Sequence, residues 1–222
     1  MTAAHHTSLF RFTFPVNGSA SPLILMDLTD LSDSRQDNGT ISIDAETGRM
    51  TGSAVFRSSF ATGFYTAHFC ADFNGATIKD TGIFVNSRAS TAVKTLTISR
   101  SINSAPLPGG AFIRFQSPGS RPVSVRVGVS MISSKQACSS AESEISQFDF
   151  DATKSAAETA WRNKLLPVTV SKNGVNNSLL TNFYSGMYRT MVNPQDYTGE
   201  NPLWKSKEPY FDSFYWYAPA WL

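Results

Sequence analysis

Apolar side chains recur at every second position through most of residues 8–131, and at every third or fourth position afterwards. The first spacing belongs to strands with one covered face, the second to helices. Phe10, Phe12 and Phe14 alternate with Arg11 and Thr13 up to Pro15, which predicts a half-buried strand. Leu23 to Leu28 is nearly continuous apolar and predicts a more deeply buried one. Ile41 and Ile43 alternate with Ser42 and Asp44, and Glu46-Thr47-Gly48 turns the chain toward a strand over Met50 to Phe56. Further strands are expected over 64–73, 77–85, 92–99, 111–116 and 123–131, with Asn74-Gly75 as a hairpin turn between the first two. In the last of them Val123, Val125, Val127 and Val129 keep period two, with Ser124, Arg126 and Gly128 facing the other way. Short strands at regular spacing, separated by turn residues, indicate an antiparallel β-sandwich.

The helical part begins at Ser133, which with Gln136 three residues on makes a capping box. Ala137, Cys138, Ala141 and Ile145 line one side of that helix. Asp151 is expected to cap a second helix, with Ala152, Ala156, Ala160, Trp161 and Leu165 buried and an end before Pro167. A short extended piece at Val168 and Val170 leads through Lys172-Asn173-Gly174 into a third helix, capped by Asn177 or Ser178. Leu180, Phe183, Tyr184, Met187, Tyr188 and Met191 give it one apolar face, and Pro194 ends it at Asn193. The loop beyond sets Tyr197, Trp204, Tyr210, Phe211, Phe214 and Tyr215 among Asp196, Glu200, Glu208 and Asp212. Aromatic faces beside carboxylates suit a sugar, whose C–H faces stack on rings while acids hold its hydroxyls. A helix–helix connection packed by aromatics is the competing reading.

Composition narrows the field. With 41% apolar and 16% charged residues the chain can bury a sizeable core. A formal charge of +2 without a Lys/Arg cluster argues against nucleic acid as a partner. No apolar run is long enough to span a membrane as a helix, and MTAAHHTSLF lacks the form of a secretory leader. His5, His6 and His68 have no zinc-site spacing, and no nucleophile elbow or phosphate-binding loop is present. Lys94, Arg100 and Arg114 read as solvated strand faces. Cys70 and Cys138 either remain two buried thiols or form a bridge worth roughly 4 kcal/mol by chain entropy. Asn17-Gly18-Ser19, Asn38-Gly39-Thr40 and Asn176-Asn177-Ser178 are N-glycosylation acceptors, which lean toward a secretory route.

The run LLTNFYSGMYRTMVNPQDYTGENPLWKSKEPYFDSFY closely resembles the entry into the catalytic domain of fungal members of glycoside hydrolase family 92, the exo-acting α-mannosidases. SLFRFTFP, LILMDLTD, RVGVSMISSKQA and FDFDATKSAAETAWRNKL resemble the family in the same order and spacing, so the likeness covers nearly the whole chain. It implies a mainly β fold with α: a large antiparallel supersandwich, incomplete at the front, then linker helices and the first helix of an (α/α)6 barrel. The boundaries it implies are 1–131 for the sandwich, 132–174 for the linker and 175–222 for the start of a truncated catalytic domain. The family continues after this point with Trp-Asp and an aromatic-Arg pair on a barrel helix. Here the chain reads Trp216-Tyr217-Ala218-Pro219-Ala220-Trp221-Leu222. A proline in a helix interior costs on the order of 3 kcal/mol.

The resemblance also implies hydrolysis of terminal α-linked mannose with inversion, a calcium ion at the mannose ring, mannose-containing glycans as partners and a secreted protein. No nucleic acid or membrane partner is implied. Inversion needs one carboxyl group as acid and another as base. In the family these groups and the calcium ligands lie in later barrel helices, so no catalytic residue is assigned and the chain alone is expected to be inactive. For acid/base work Glu200, Glu208 and Asp212 read as solvated loop acids. The segment 194–209 resembles the mouth of the family's pocket, which makes Tyr197, Glu200 and Trp204 the expected lining of an outer sugar site. Asn74 either reaches that pocket from the sandwich or serves only its turn, and Asn-Gly is turn chemistry in its own right. The alternative function is a free-standing β-sandwich that binds glycans or proteins without catalysis.

Overall fold

A computed structural model of the chain describes residues 1–15, 21–28, 36–57, 64–98, 108–116, 119, 121–192, 195–203, 208–209 and 211–212. Two antiparallel sheets pack face to face, and helices follow. The larger sheet runs β1 (Thr2–Ala3), β2 (Thr7–Phe12), β11 (Val123–Ser130), β6 (Phe64–Asn74), β5 (Met50–Arg57), β4 (Gln36–Ile43) and β9 (Thr95–Ile98). The smaller runs β3 (Leu23–Asp27), β10 (Gly109–Phe115), β7 (Ile78–Val85) and β8 (Arg88–Ser90). A short pair, β12 (Gln195–Asp196) with β13 (Phe211–Asp212), lies after the helices. Alternate residues of the facing strands fill the core: Ile41, Ile43, Met50, Ala71, Val123 and Val125 from one sheet, Ile83, Ala111, Ile113 and Phe115 from the other. Each of the larger of these side chains, Ile, Val, Met or Phe, contributes about 1.5–3 kcal/mol by leaving water.

Local chemistry explains the hairpin from β4 to β5. Asp44 Oδ1 accepts from the Glu46 and Thr47 amides and from the Thr47 hydroxyl, and Gly48 closes the turn at φ +72°. Other expectations change. Asn74-Gly75 joins no hairpin, because β6 and β7 belong to different sheets. Gly75, at φ +110°, passes so close to Pro122 that a Cβ would lie 2.3 Å from its carbonyl oxygen. The hairpin is instead β7 to β8, through Asn86 and Ser87 at φ +47° and +65°. The β3 strand is an edge, with Leu23 and Leu25 45% and 54% exposed, since it has β10 on one side and only Ile24 and Met26 reach the core. Lys94 is not a solvated charge: its Nζ donates to the Thr81 carbonyl and hydroxyl at 2.7 and 2.8 Å. Arg114 pairs with Asp80, holding that carboxyl below its ordinary range, while Arg100 lies outside the described residues.

The helices among the described residues are α1 (Ser134–Glu144), α2 (Phe150–Leu165) and α3 (Asn177–Thr190). Ser133 caps α1 as expected, accepting from the Gln136 amide at 3.1 Å. Asp149, not Asp151, caps α2 through the Asp151 and Ala152 amides, which leaves Asp151 to pair with Arg11 at 3.2 Å. Arg11 also lies over the Phe150 ring. The β2 face carrying Thr7, Leu9 and Arg11 therefore lies under the helices, and β2 ends at Phe12 rather than at Pro15. No α2 residue is fully buried: Thr153, Ala157, Trp161 and Leu165 are half-buried, and Ala152, Ala156 and Ala160 are exposed. Residues 168–170 form no strand. Asn176 caps α3, one residue before the expected pair, and the helix ends at Thr190 rather than Asn193. Its apolar face stays open, with Phe183 39% and Tyr188 44% exposed, although Tyr188 meets Trp161 of α2 at 4.5 Å between ring centroids.

α1 lies directly on the outer face of the larger sheet. A Cβ on Gly128 would sit 2.2 Å from the Ala137 carbonyl oxygen and 2.9 Å from the Ala141 Cβ. Gly128→Ala is therefore expected to destabilise by about 1–3 kcal/mol through overpacking. Gly186→Ala, in α3 with open space around it, is expected to stabilise by up to about 1 kcal/mol. Urea melts of the two variants check the opposite signs.

Candidate functional site

Three successive cross-strand pairs of β6 and β11 face α1: Asp72 with Arg126, Cys70 with Gly128, and His68 with Ser130. Each joins the sheet to the helical part in a different way. In the first, Asp72 and Arg126 are each 8% exposed. Arg126 Nε donates to Asp72 at 2.8 Å, its Nη1 to the Ile145 carbonyl at 2.8 Å, and its guanidinium covers the Phe148 ring. Arg49 adds bonds of 2.6 Å to Asp72 and to Glu142 of α1, and these partners raise its pKa further. In the second, Cys70 forms a disulfide with Cys138 of α1, with Cα atoms 5.0 Å apart. Gly128 opposite gives the helix room.

The third pair receives the loop that follows α3. Glu200 is 5% exposed. Its Oε2 accepts from the Ser130 hydroxyl at 2.7 Å and the Met131 amide at 2.6 Å, and its Oε1 from Gln136 Nε2 at 2.6 Å. The Gln136 side chain also donates to the Gly199 carbonyl, so it does not turn back to complete a capping box. Glu200 thus stands as an acid at the N-terminus of α1, brought from a distant part of the chain, where the helix dipole favours negative charge. It is not a solvated loop acid. Its neighbour Tyr197 is half-buried, donates its hydroxyl to Gln195 at 2.7 Å, and accepts from the Glu200 amide at 2.8 Å. Asp196 accepts from the Thr198 hydroxyl and amide, which hold its carboxyl below the ordinary range.

The structure therefore brings Tyr197 and Glu200 together, but not Asn74. Asn74 is exposed opposite Ser124 at the other end of β6. Six residues of strand put it about 20 Å from His68. Trp204 and Asn17 lie outside the described residues, as do Tyr210, Phe214, Tyr215 and the segment from Trp216 to Leu222. Glu208 is exposed. Ser130, Gln136 and His68 complete the cluster. For His68 and Ser130 the sequence signal was period two in β6 and β11, which marks a shared face without saying what covers it, and for Gln136 it was the capping-box spacing from Ser133.

Both Glu200 oxygens are occupied by the chain's own donors, so the arrangement anchors a loop. It does not present an acid and a base across a cleft. Calcium takes six to eight oxygen ligands. Among the described residues no three Asp, Glu, His or Cys side chains are grouped to hold a metal ion, so they do not fit that ion's donor set.

His68 carries a pH dependence. Burial pulls its pKa below the ordinary value, outweighing the opposite pull of Glu200. The folded ring then binds fewer protons than the unfolded one just below the unfolded pKa of about 6.5. Stability accordingly rises with pH through that interval and is lost on acidification. His68→Asn is expected to flatten this part of a plot of urea midpoint against pH.

Comparison with known proteins agrees with this architecture. The glycosyl hydrolase family 92 N-terminal domain matches residues 1–130, and the family 92 catalytic domain matches residues 136–221. A protein of Arthroderma benhamiae described as an uncharacterized secreted glycosidase is 46% identical over 97% of this chain. The chain spans 29% of that relative's length. The solved family 92 glycosyl hydrolase ccman5 matches 87% of the chain with a TM-score of 0.72 at 19% identity, over 24% of its own length. A family 92 inverting mannosidase from Bacteroides thetaiotaomicron matches 86% with a TM-score of 0.70, also at 19% identity and over 24% of its length. At that identity the solved structures speak for the fold: a sandwich followed by helices. With both family domains matched in order along it, this chain belongs to glycosyl hydrolase family 92.

Proposed function

We propose that the chain forms the N-terminal sandwich (1–131), the helical linker (132–174) and the opening of the (α/α)6 catalytic domain (from 175) of an exo-acting α-mannosidase. The intact protein hydrolyses terminal α-linked mannose of glycans with inversion and depends on calcium. The observation that carries this reading is the ordered match of both family domains across residues 1–130 and 136–221, beside a solved relative described as an inverting mannosidase. The open apolar face of α3, Phe183 to Tyr188, supports a place inside a larger helical assembly. In this reading the catalytic carboxylates and calcium ligands come from later barrel helices, and residues 1–222 alone cleave nothing. The loop held by Glu200 borders the mouth of the sugar site, where Tyr197 lines the outer sugar, with Trp204 joining it by its place in the sequence alone. Asn74 serves the crossing between sheets. The secretory route is supported by the secreted relative and by the Cys70–Cys138 bridge, which persists in oxidising compartments. Nucleic acid and membrane are not partners.

The test is a chimera in which residues 1–222 replace the matching segment of the Arthroderma benhamiae glycosidase, assayed on aryl and disaccharide α-mannosides. The chimera is expected to release mannose in the β form and to lose this activity with a chelator, while purified 1–222 releases none. An inert chimera beside an active parent overturns the proposal, and so does mannose release by 1–222 alone. Tight binding of mannosides by a folded 1–222 monomer, with an inert chimera, would favour the non-catalytic binding module.

A further inference from the structure

We infer that Asn38 carries an N-linked glycan and that this glycan covers the free edge of the larger sheet at β9. The inference rests on the secretory part of the reading above. Asn38-Gly39-Thr40 is one of three acceptor triplets, and the structure sets it apart. Asp37 pairs with Val55 and Thr40 with Ser53, so Asn38 and Gly39 together stand opposite Ala54. Two residues against one is a β-bulge. Asn38 takes it up in the left-handed region at φ +48° with its side chain exposed, while Gly39 stays buried and keeps the pairing to Ile98 of β9.

The surroundings give the glycan something to do. Among the described residues β9 is the outermost strand of this sheet, four residues long, and reads Thr-Leu-Thr-Ile with Thr95 and Thr97 exposed. Sheet edges are usually protected by charge or proline, and β9 has neither. Next to it the outer face is uncharged hydroxyl: Thr40 meets Ser53 at 3.3 Å and Ser42 meets Thr95 at 3.2 Å. A sugar chain rooted at the bulge would lie over this polar face and deny the edge to a second chain. Asn176 differs, because its Oδ1 caps α3 through the Leu179 amide and Ser178 is already in the first helical turn.

In the modification the Asn38 Nδ2 attacks the anomeric carbon of a lipid-pyrophosphate-linked oligosaccharide. A C–N bond forms, the anomeric C–O bond breaks, the lipid pyrophosphate leaves with the electron pair, and the amide gives up one proton.

The experiment expresses residues 1–222 behind an added leader in a eukaryotic host and treats the secreted protein with peptide:N-glycosidase, which converts a glycosylated Asn to Asp. Conversion at position 38 is expected, with loss of that glycan mass in Asn38→Gln and Thr40→Ala. Removing the glycan from folded wild-type protein is expected to raise self-association by sedimentation, and Thr95→Lys in β9 is expected to suppress the rise. An unmodified Asn38 in the secreted protein overturns the site. A modified Asn38 whose removal leaves association unchanged overturns its role at the edge. Because the leader is supplied and no hydrolysis is measured, this result and the chimera assay fail independently.

Discussion

Asp72→Ala is expected to lower the unfolding free energy by about 3–5 kcal/mol, the cost of leaving a buried charge without its partner. Arg126 would keep its bond to the Ile145 carbonyl and its cover of Phe148 but lose its counter-charge, in a place where it is 8% exposed. Arg49 would lose two bonds at once and be left with Glu142. The penalty comes from the unpaired cation more than from the lost attraction. Changing both partners to apolar residues, Asp72→Leu with Arg126→Met, should therefore return much of the stability. Urea denaturation of the single and double variants, taken as a cycle, checks this. An additive double variant would mean that the pair is not coupled.

The second large effect is at the bridge. Cys70→Ser with Cys138→Ser opens a cross-link of sequence separation 68, and the chain-entropy estimate puts the loss at about 4 kcal/mol. Reduction of the wild-type chain should give the same midpoint shift as the double substitution, and no further shift should appear when the variant is reduced. Both losses bear on function through the same helix. α1 is held to the sheet by the Asp72 cluster and by the disulfide, and the Glu200 loop is held by the end of β11 and the start of α1. A loosened α1 is expected to free the loop that carries Tyr197, visible as faster amide exchange over residues 197–203.

Local chemistry wrote much of this fold in plain view. Period two in the Phe, Ile and Val runs marks strands because neighbouring side chains leave a pleated backbone on opposite sides. Asp44 with Gly48, and Ser133 before α1, mark a turn and a helix start, because side-chain acceptors satisfy nearby amides that have no other partner. The extended runs ending at FDSFY and KQA are specific enough to point to the family by themselves. The caps that moved, by two residues at Asp149 and by one at Asn176, did so because nearby residues of the same kind cap almost equally well.

Other features depend on which surfaces meet. A strand pattern names one buried face and leaves the other open, so period two in β11 sets Arg126 and Gly128 opposite the valines without saying that α1 lies on them. Nothing around Asn74-Gly75 tells a hairpin from a crossing between sheets, since the turn chemistry is the same and only the pairing of distant strands differs. A continuous apolar run such as Leu23 to Leu28 cannot say whether it has one strand neighbour or two. Glu200 is the clearest instance: its loop is rich in acids and aromatics, yet its partners Ser130, Met131 and Gln136 lie far back in the chain. Local sequence carries propensity and periodicity, whereas burial of a particular carboxylate is decided by long-range packing that brings its donors to it.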